Sequence, residues 1–394
     1  SLMPYFLTVR NGGTKALENV QHGNEKVLRA RLDDAKFFFE NDRKKTLEGH
    51  RDDLTRINYQ EGMGDMRDKA DRLQKLTEAI GKDWGFTAEE AADADRAAFL
   101  SKSDLATGMV TEFTELQGEM GKEYALLDGE KPEVAQAIFE QYMPRFAGDI
   151  LPQQEIGRAL SLADKLDNLA ATFLRGLIPT GSQDPFALRR QTIGAVNILT
   201  DGKIHWDIRR GIEAALALLP GDEETKKTVL SQIEDFFRQR IKAIMLDEGI
   251  AYDIIDAVLA GPVDDIYALF LKARSMAESQ LKGEAELRQA VTRLANITKG
   301  KTGGKVDPSL FTEDVEKKLQ DAFEAVSAKA LPLFASYEYG KALPALKELT
   351  APINDYLDNV MVMVDDEAVK NNRISQLLAT LALFNTWGDF SKLV

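Results

Sequence analysis

The sequence predicts an all-helical protein built from more than one domain. Apolar residues recur at helical spacing through nearly every segment after residue 23. Proline and glycine fall between those segments, at Pro144, Gly148, Pro152, Pro220-Gly221 and Gly261-Pro262. At 394 residues the chain exceeds one ordinary domain, so two or three are expected. The predicted order is a helical domain over 21–200, a helical linker or body over 201–281, and a four-helix bundle over 282–394.

The start departs from this pattern. PYFLTVRN alternates like a short strand over residues 4–10, and Asn11-Gly12-Gly13 supplies its turn. Ser1-Leu2 ahead of Met3 reads as a cloning remnant, and residues 1–20 as the remnant strand of a truncated N-terminal domain. From Gly23 the text turns helical, with Val27, Leu32, Phe37, Phe38 and Phe39 giving a bulky apolar face. Arg29 and Arg31 precede that face. The next helix, over 65–80, carries Met66, Ala70, Leu73, Leu76 and Ile80 on one side. Thr87 followed by Glu90 marks another start by reciprocal capping.

The most apolar helix lies within GRALSLADKLDNLAATFLRG. Leu162, Leu166, Leu169 and Phe173 form one stripe, and Leu160, Ala163, Ala170 and Leu174 widen it, so this helix belongs inside a domain. Asp164 and Asp167 fall within that run. A buried carboxylate needs a partner, a metal or a proton, and pairing with nearby Lys and Arg is the plain expectation. Asp184-Pro185 opens the following helix. Residues 204–281 alternate charges along exposed faces and read as scaffold.

In the last domain, a first helix carries Leu287, Val291 and Leu294 and ends in KGKTGGK. A second has Thr312 as its N-cap and the stripe Val315, Leu319, Ala322 and Val326. A third runs from about Tyr337 to Met363. Asp365-Asp366 open the fourth, with Ile374, Leu377, Leu378, Leu381 and Phe384 as its core face.

Composition removes several chemistries. Without cysteine there are no disulfides, thiolate zinc sites or Cys nucleophiles. His22, His50 and His205 share no ligand spacing, so no metal site is expected. A net charge of −14 argues against a broadly electrostatic nucleic-acid binder but leaves room for a local basic footprint. No window reaches the length of a membrane span, and the cytosol is the expected compartment. Gly300-Lys301-Thr302 resembles the end of a phosphate loop, yet Ala295 stands where its first glycine belongs and a helix leads in. It reads instead as a flexible basic loop whose Lys299, Lys301 and Lys305 are available to phosphate. No Ser/His/Asp grouping is recognisable, and Asp33-Asp34 point to different sides of a helix.

Four segments carry a resemblance: GNEKVLRARLDDAKFFFENDRKKTLE, RFAGDILPQQEIGRALSLADKLDNLAATF, DPFALRR and NVMVMVDDEAVKNNRISQLL. From about Tyr5 onward the chain resembles the beta-subunit family of bacterial tetrameric glycyl-tRNA synthetases, in its C-terminal part. The resemblance implies a tRNA-binding subunit without a complete active site. An alpha subunit would activate glycine with ATP and Mg, in an assembly of two alpha and two beta chains.

It also implies that the first domain is a degenerate HD-type phosphohydrolase fold. Asp164, in ALSLADKLD, matches the retained aspartate, Lys69 in RDKADRL stands for the first metal-binding His, and Ser101-Lys102 stand for the His-Asp pair. One carboxylate and two ammoniums cannot hold a divalent cation, so hydrolase chemistry is not expected. The last domain resembles the helical anticodon-binding bundle of arginyl-tRNA synthetase. There the resemblance assigns Arg293, Asn296, Asn372 and Arg373 to the anticodon. Lys370 joins Arg373 at i, i+3 on a face away from the core. Arg29, Arg31, Arg189, Arg190, Lys299 and Lys301 are assigned to the phosphates of the acceptor arm. The alternatives are a purely structural partner of the alpha subunit and a metal-dependent phosphohydrolase. Neither DNA nor a membrane is an expected partner.

Overall fold

The computed structural model describes residues 3, 5–181 and 183–394. Among these, eighteen α-helices are joined by short turns and 3-10 segments, with three isolated bridges and no strand ladder. The fold class is therefore all-α, as the periodicity predicts. The expected strand over 4–10 does not form in residues 5–10, and position 4 lies outside the described residues. Alternation makes a strand only where a neighbour completes the ladder, and Tyr5, Leu7 and Val9 are exposed.

The chain forms two compact units: Ser1–Asp167 with Leu218–Pro220, and Asn168–Ala217 with Gly221–Val394. The division falls at Asp167, ahead of the boundary expected near residue 200. Residues 201–281, apart from Leu218–Pro220, share a unit with the C-terminal helices.

The first unit holds α1 (Leu17–Asp42), α2 (Leu47–Arg51), α3 (Met66–Trp84), α4 (Ala88–Leu100), α5 (Gly108–Glu112), α6 (Glu119–Leu127) and α7 (Pro132–Glu140). It also takes the start of α8 (Glu155–Leu174), up to Asp167. Helix α1 begins at Leu17, ahead of the expected Gly23. Its apolar face is only partly used. Val27, Leu32 and Phe37 are exposed, while Phe38 closes on Gly108, where a Cβ would stand 2.7 Å from the ring. Reciprocal caps start α3 (Asp65 with Asp68) and α4 (Thr87 with Glu90). Helix α3 ends at Gly85 with φ 76°, a conformation costly for any residue with a Cβ. The predicted face of α3 (Met66, Ala70, Leu73, Leu76 and Ile80) is buried, as are Ala94, Ala97 and Ala98 of α4 and Ile138 of α7.

The stripe of α8 is likewise interior: Leu162, Leu166, Leu169 and Phe173 are all buried. The chain enters this helix over the buried Glu140 carboxylate, which accepts hydrogen bonds from Gln153 N (3.1 Å) and Gln154 N (3.3 Å). Gly157 makes room for that carboxylate.

The second unit continues with α9 (Leu188–Asp201), α10 (Ile208–Ala217), α11 (Glu223–Asp247), α12 (Tyr252–Val258) and α13 (Ile266–Glu278). The bundle follows as α14 (Ala285–Thr298), α15 (Asp314–Ala335), α16 (Leu343–Lys347), α17 (Thr350–Asn359) and α18 (Glu367–Asn385). Asp184 opens α9 by accepting from Leu188 N and Arg189 N. The helix expected from Tyr337 to Met363 is broken into a 3-10 turn, α16 and α17, because Pro344 and Pro352 each remove a backbone donor. The N-cap of α15 is Glu313 rather than Thr312, because Glu316 reaches back to bind both of their amides at 2.8 Å. In α18, Leu377 and Phe384 are fully buried and Leu378 and Leu381 half-buried. Beyond the bundle, Trp387 Nε1 donates to Lys272 O (3.1 Å) and Asp389 N to Ala257 O (2.9 Å), tying the C-terminus to α12 and α13.

A Cβ at Gly157 would lie 1.9 Å from Glu140 Oε2, so Gly157→Ala must displace the carboxylate from both amides. The expected result is a loss of about 1–3 kcal/mol in urea unfolding. In a Glu140→Ala background only the Cβ of residue 140 remains close, at 3.0 Å, so the same change should cost much less than in the native chain.

Candidate nucleic-acid interface

The residues assigned to the anticodon occupy one end of the bundle, with two different exposures. Asn296 is exposed at the end of α14. Arg293, half-buried, donates to Asn354 Oδ1 (2.9 Å) and pairs with Asp358. Lys370 pairs with Glu367 within its own helix.

Asn372 and Arg373 do not lie on a free face. They are 5% and 4% exposed, which corrects the expectation that Arg373 points away from the core beside Lys370. The i, i+3 spacing holds, but Arg373 also stands at i, i+4 with Leu377, so it borders the apolar stripe and is interior with it. Arg373 pairs with the buried Glu316 (3.0 Å), donates to Thr312 Oγ1 (2.7 Å) and reaches Met361 O (2.8 Å). Burial raises the Glu316 carboxyl; the Arg373 guanidinium and the amides of Glu313 and Thr312 outweigh it and hold the group ionised. Asn372 exchanges hydrogen bonds with the backbone of Asp307 (2.7 and 3.0 Å). Ser375 Oγ accepts from Gly304 N (2.8 Å), and a Cβ at Gly303 would meet Leu378 at 2.9 Å.

The buried polar side of α18 therefore holds two loops, 299–312 and 360–366. Those loops present Lys299, Lys301 and Lys305, the exposed carboxylates Asp307, Asp365 and Asp366, and apolar side chains. Lys299 and Lys305 are exposed and, among the described residues, make no ion pair within 4 Å, while the Lys305 charge adds to the Ser309 hydrogen bonds that lower the Asp307 carboxyl. Lys301 Nζ lies 3.8 Å from Met363 Sδ, beside the exposed Met361. Loops carry contacts well when a rigid element positions them.

The remaining phosphate candidates are dispersed. Arg29 is exposed on α1, and Arg31 pairs with Glu112 at 2.6 Å. Arg189 caps Gly181 O at 2.6 Å and Arg190 is exposed, both in the first turn of α9.

The first unit contains a different centre, closed and ionic. Lys69 Nζ lies 2.9 Å from Asp164 and 2.8 Å from Asp167. Arg72 holds Asp167 at 2.6 Å, and Lys102 reaches Asp164 at 3.0 Å. Tyr59 covers Lys69 at 4.7 Å and Tyr142 covers Lys102 at 4.1 Å. Three of the residues aligned with the HD motif, Lys69, Lys102 and Asp164, thus converge. Ser101 does not join them, since its hydroxyl donates to Ala98 O at 2.6 Å. Both carboxylates already face ammonium or guanidinium groups. Among the described residues no group of three or more His, Cys, Asp or Glu is placed to hold a metal. These residues do not fit a divalent cation.

Burial disfavours every charge here, and the pairing decides which survive. Burial raises the Asp164 carboxyl, but Lys102 and Lys69 hold it well below its ordinary value. Lys69 is raised by Asp164 and Asp167 against its own desolvation. Burial pushes the Tyr59 phenol up to about 12. The same burial pushes Lys165 down to about 7, despite the pull of Asp164. Its ammonium is held by Met143 O (2.6 Å) and Ser161 Oγ (2.7 Å).

Arg72, Lys165 and Glu316 escape a reading of motifs alone. For Arg72 a signal exists: Lys69 and Arg72 stand at i, i+3, as do Asp164 and Asp167.

Residues 1–260 match the family model described as glycyl-tRNA synthetase beta subunit. The chain belongs to that family. Residues 287–388, which contain the bundle end described above, match the DALR anticodon binding domain. The glycine–tRNA ligase beta subunit of Clostridioides difficile (strain 630) is 44% identical over 394 residues, covering 100% of this chain and 57% of the relative. That of Desulforamulus reducens is 42% identical over 397 residues, with the same coverage. That of Halothermothrix orenii is 42% identical over 382 residues, covering 96% of this chain and 55% of the relative. The chain thus spans somewhat more than half the length of these curated relatives. Among the described residues no helix is long and apolar enough to cross a membrane.

Two outcomes are expected of these centres. Lys165 titrates near 7 folded, against an ordinary 10.5, so below pH 7 both states carry the proton and the cost of burying it is fully present. As pH rises from about 7 towards 10.5, the unfolded chain keeps a proton the folded one has released, so stability rises, by up to about 1.4 kcal/mol per pH unit. Urea unfolding at a series of pH values should show this rise, and Lys165→Met should flatten most of it. Arg373→Ala strands the buried Glu316 and should cost about 3–5 kcal/mol. Adding Glu316→Gln should recover part of that loss, whereas an additive double variant would mean that the pair is not coupled.

Proposed function

We propose that this chain is the tRNA-binding portion of a glycine–tRNA ligase beta subunit. On this reading it holds glycine tRNA while an alpha subunit, using ATP and Mg, activates glycine and attaches it. The working enzyme contains two chains of each kind in the cytoplasm, and this chain needs no cofactor of its own. Family membership and the anticodon-domain match support the reading. The observation that carries it is the bundle end: Lys299, Lys301 and Lys305 beside exposed methionines on loops fixed by the buried Arg373–Glu316 pair. Anticodon bases are single-stranded, and such bases are bound by planar, apolar and hydrogen-bonding groups beside a cationic track. Asn372 and Arg373 then act as positioning residues, and Lys299, Lys301, Lys305, Met361 and Met363 meet the RNA.

A purely assembling role is the rival, favoured by the open apolar face of α1 at Val27, Leu32 and Phe37. It requires no affinity for tRNA.

Binding of the chain to glycine tRNA across salt concentrations separates the two. The affinity should fall steeply with salt. Replacing Lys299, Lys301 and Lys305 by Gln should reduce the log–log slope by about 2, at roughly 0.7 per single-strand phosphate contact. A tRNA of altered anticodon should bind more weakly at every salt concentration. Absence of binding by the intact chain would sink the tRNA reading in favour of assembly.

A further inference from the structure

A second locus in the C-terminal unit is built around stacked rings. Tyr337 has φ 60° and Lys203 has φ 52°, backbone conformations that residues with a Cβ rarely hold. These two loops bring Tyr337 and His205 into parallel contact, with ring centroids 3.5 Å apart and planes at 12°. His205 is fixed from behind. Its Nδ1 lies 2.7 Å from Asp265, which is itself held as the N-cap of α13 by Ala268 N at 2.8 Å. Tyr267 closes the other side of the imidazole at 4.9 Å. Backbone strain of this kind persists where the surroundings over-determine it, and it concentrates at binding sites.

Tyr337 remains 37% exposed and walls a cleft of about 530 Å³ between α13 and the 337–341 turn. That volume suits one small ligand. Its charged walls balance, Arg274 and Lys341 against Glu278 and Glu338, so a neutral planar group is favoured there over a phosphate. Ser275 lines the same cleft, with its Oγ buried behind the surface and without a hydrogen-bond partner. Gly340 packs against it: a Cβ there would stand 2.9 Å from that oxygen.

We propose that the Tyr337 cleft is a stacking site for one unpaired nucleobase of the bound RNA, distinct from the lysine loops at the bundle end. This rests on the tRNA-binding reading and adds a base contact to it. His205 and Asp265 act as positioning residues that hold the phenol ring ready, Tyr339 packs on it edge to face at 6.4 Å, and the base stacks where the ring lines the cleft. Stacking of this sort tolerates any base and owes little to ionic attraction.

The test uses the full chain, a short single-stranded RNA carrying one 2-aminopurine, and a glycine tRNA transcript. Stacking quenches the 2-aminopurine emission. Tyr337→Phe keeps the ring and should bind as the native chain does. Tyr337→Gly relieves the strained backbone but removes the ring, and Tyr337→Leu keeps apolar bulk without a π face, so at least one ring-less variant is expected to fold. Both should lose the quenching and bind about ten-fold more weakly, by the same factor at low and high salt. Quenching and affinity unchanged in a folded ring-less variant would overturn the stacking site and leave the tRNA reading standing, with the rings reduced to a packing contact. A loss that vanishes at high salt would overturn it too, since the contact would then be ionic. Failure of the native chain to bind either RNA would overturn both proposals.

Discussion

Two ladders of charge meet inside the first unit, and the packing there depends on their match. Lys69 and Arg72 stand one turn apart on α3, and Asp164 and Asp167 stand one turn apart on α8, so the helices lock in one register. Taking such ions out of water costs several kcal/mol each, and an apolar pair of similar volume would hold the helices together as well. What the ions add is exclusiveness. A slip of either helix by one residue strands four charges in a dry interior. The same contacts account for where the first unit ends: Asp167 is tied to α3, whereas the next residue, Asn168, bonds Gln191 and Phe173 packs on Phe236.

A second buried pair repeats the device for another purpose. Arg373–Glu316 fixes no helix register of comparable length. It ties the start of α15 to Thr312, and its spare guanidinium donor ends on the Met361 carbonyl. Asn372 and Ser375, from the same turns of α18, hold Asp307 and Gly304. Four consecutive positions of one helix, 372–375, thus contribute three polar girders to loops outside it. Exposed pairs such as Lys329–Glu348 are worth little by comparison, because water competes for both partners.

The contrast explains what was readable in the sequence. The stripes of α3 and α8 are legible because one face of each is apolar and the structure buries that face. The convergence of Lys69, Lys102 and Asp164 follows from the family resemblance, and spacing alone does not disclose it. Other features depend on surroundings that periodicity does not encode. Arg373 borders the apolar stripe of α18, and its burial is set by Glu316 of α15, which the spacing on α18 does not reveal. The long helix expected after Tyr337 breaks because Pro344 and Pro352 act before its apolar pattern can prevail. Residues 5–10 alternate as a strand does but have no ladder partner among the described residues. Tyr337 and His205 lie over a hundred positions apart, and nothing local to either announces the other.

Charge placement is what would reconcile an acidic chain with the polyanionic ligand proposed for it. At −14 the body repels a phosphate backbone at long range, which suppresses binding wherever the local surface offers nothing in return. Some of the cationic groups that could contradict this are spent internally: Lys69, Arg72 and Lys102 on buried aspartates, Arg373 on Glu316. Lys299 and Lys305 are not spent, and they sit on loops whose geometry the core enforces. On the proposed tRNA-binding reading, an RNA would be held only where its phosphates meet those loops and its unpaired bases meet apolar or aromatic groups nearby. Selectivity arises from repulsion everywhere else as much as from attraction at the contact, which is how a difference in affinity is built from few residues.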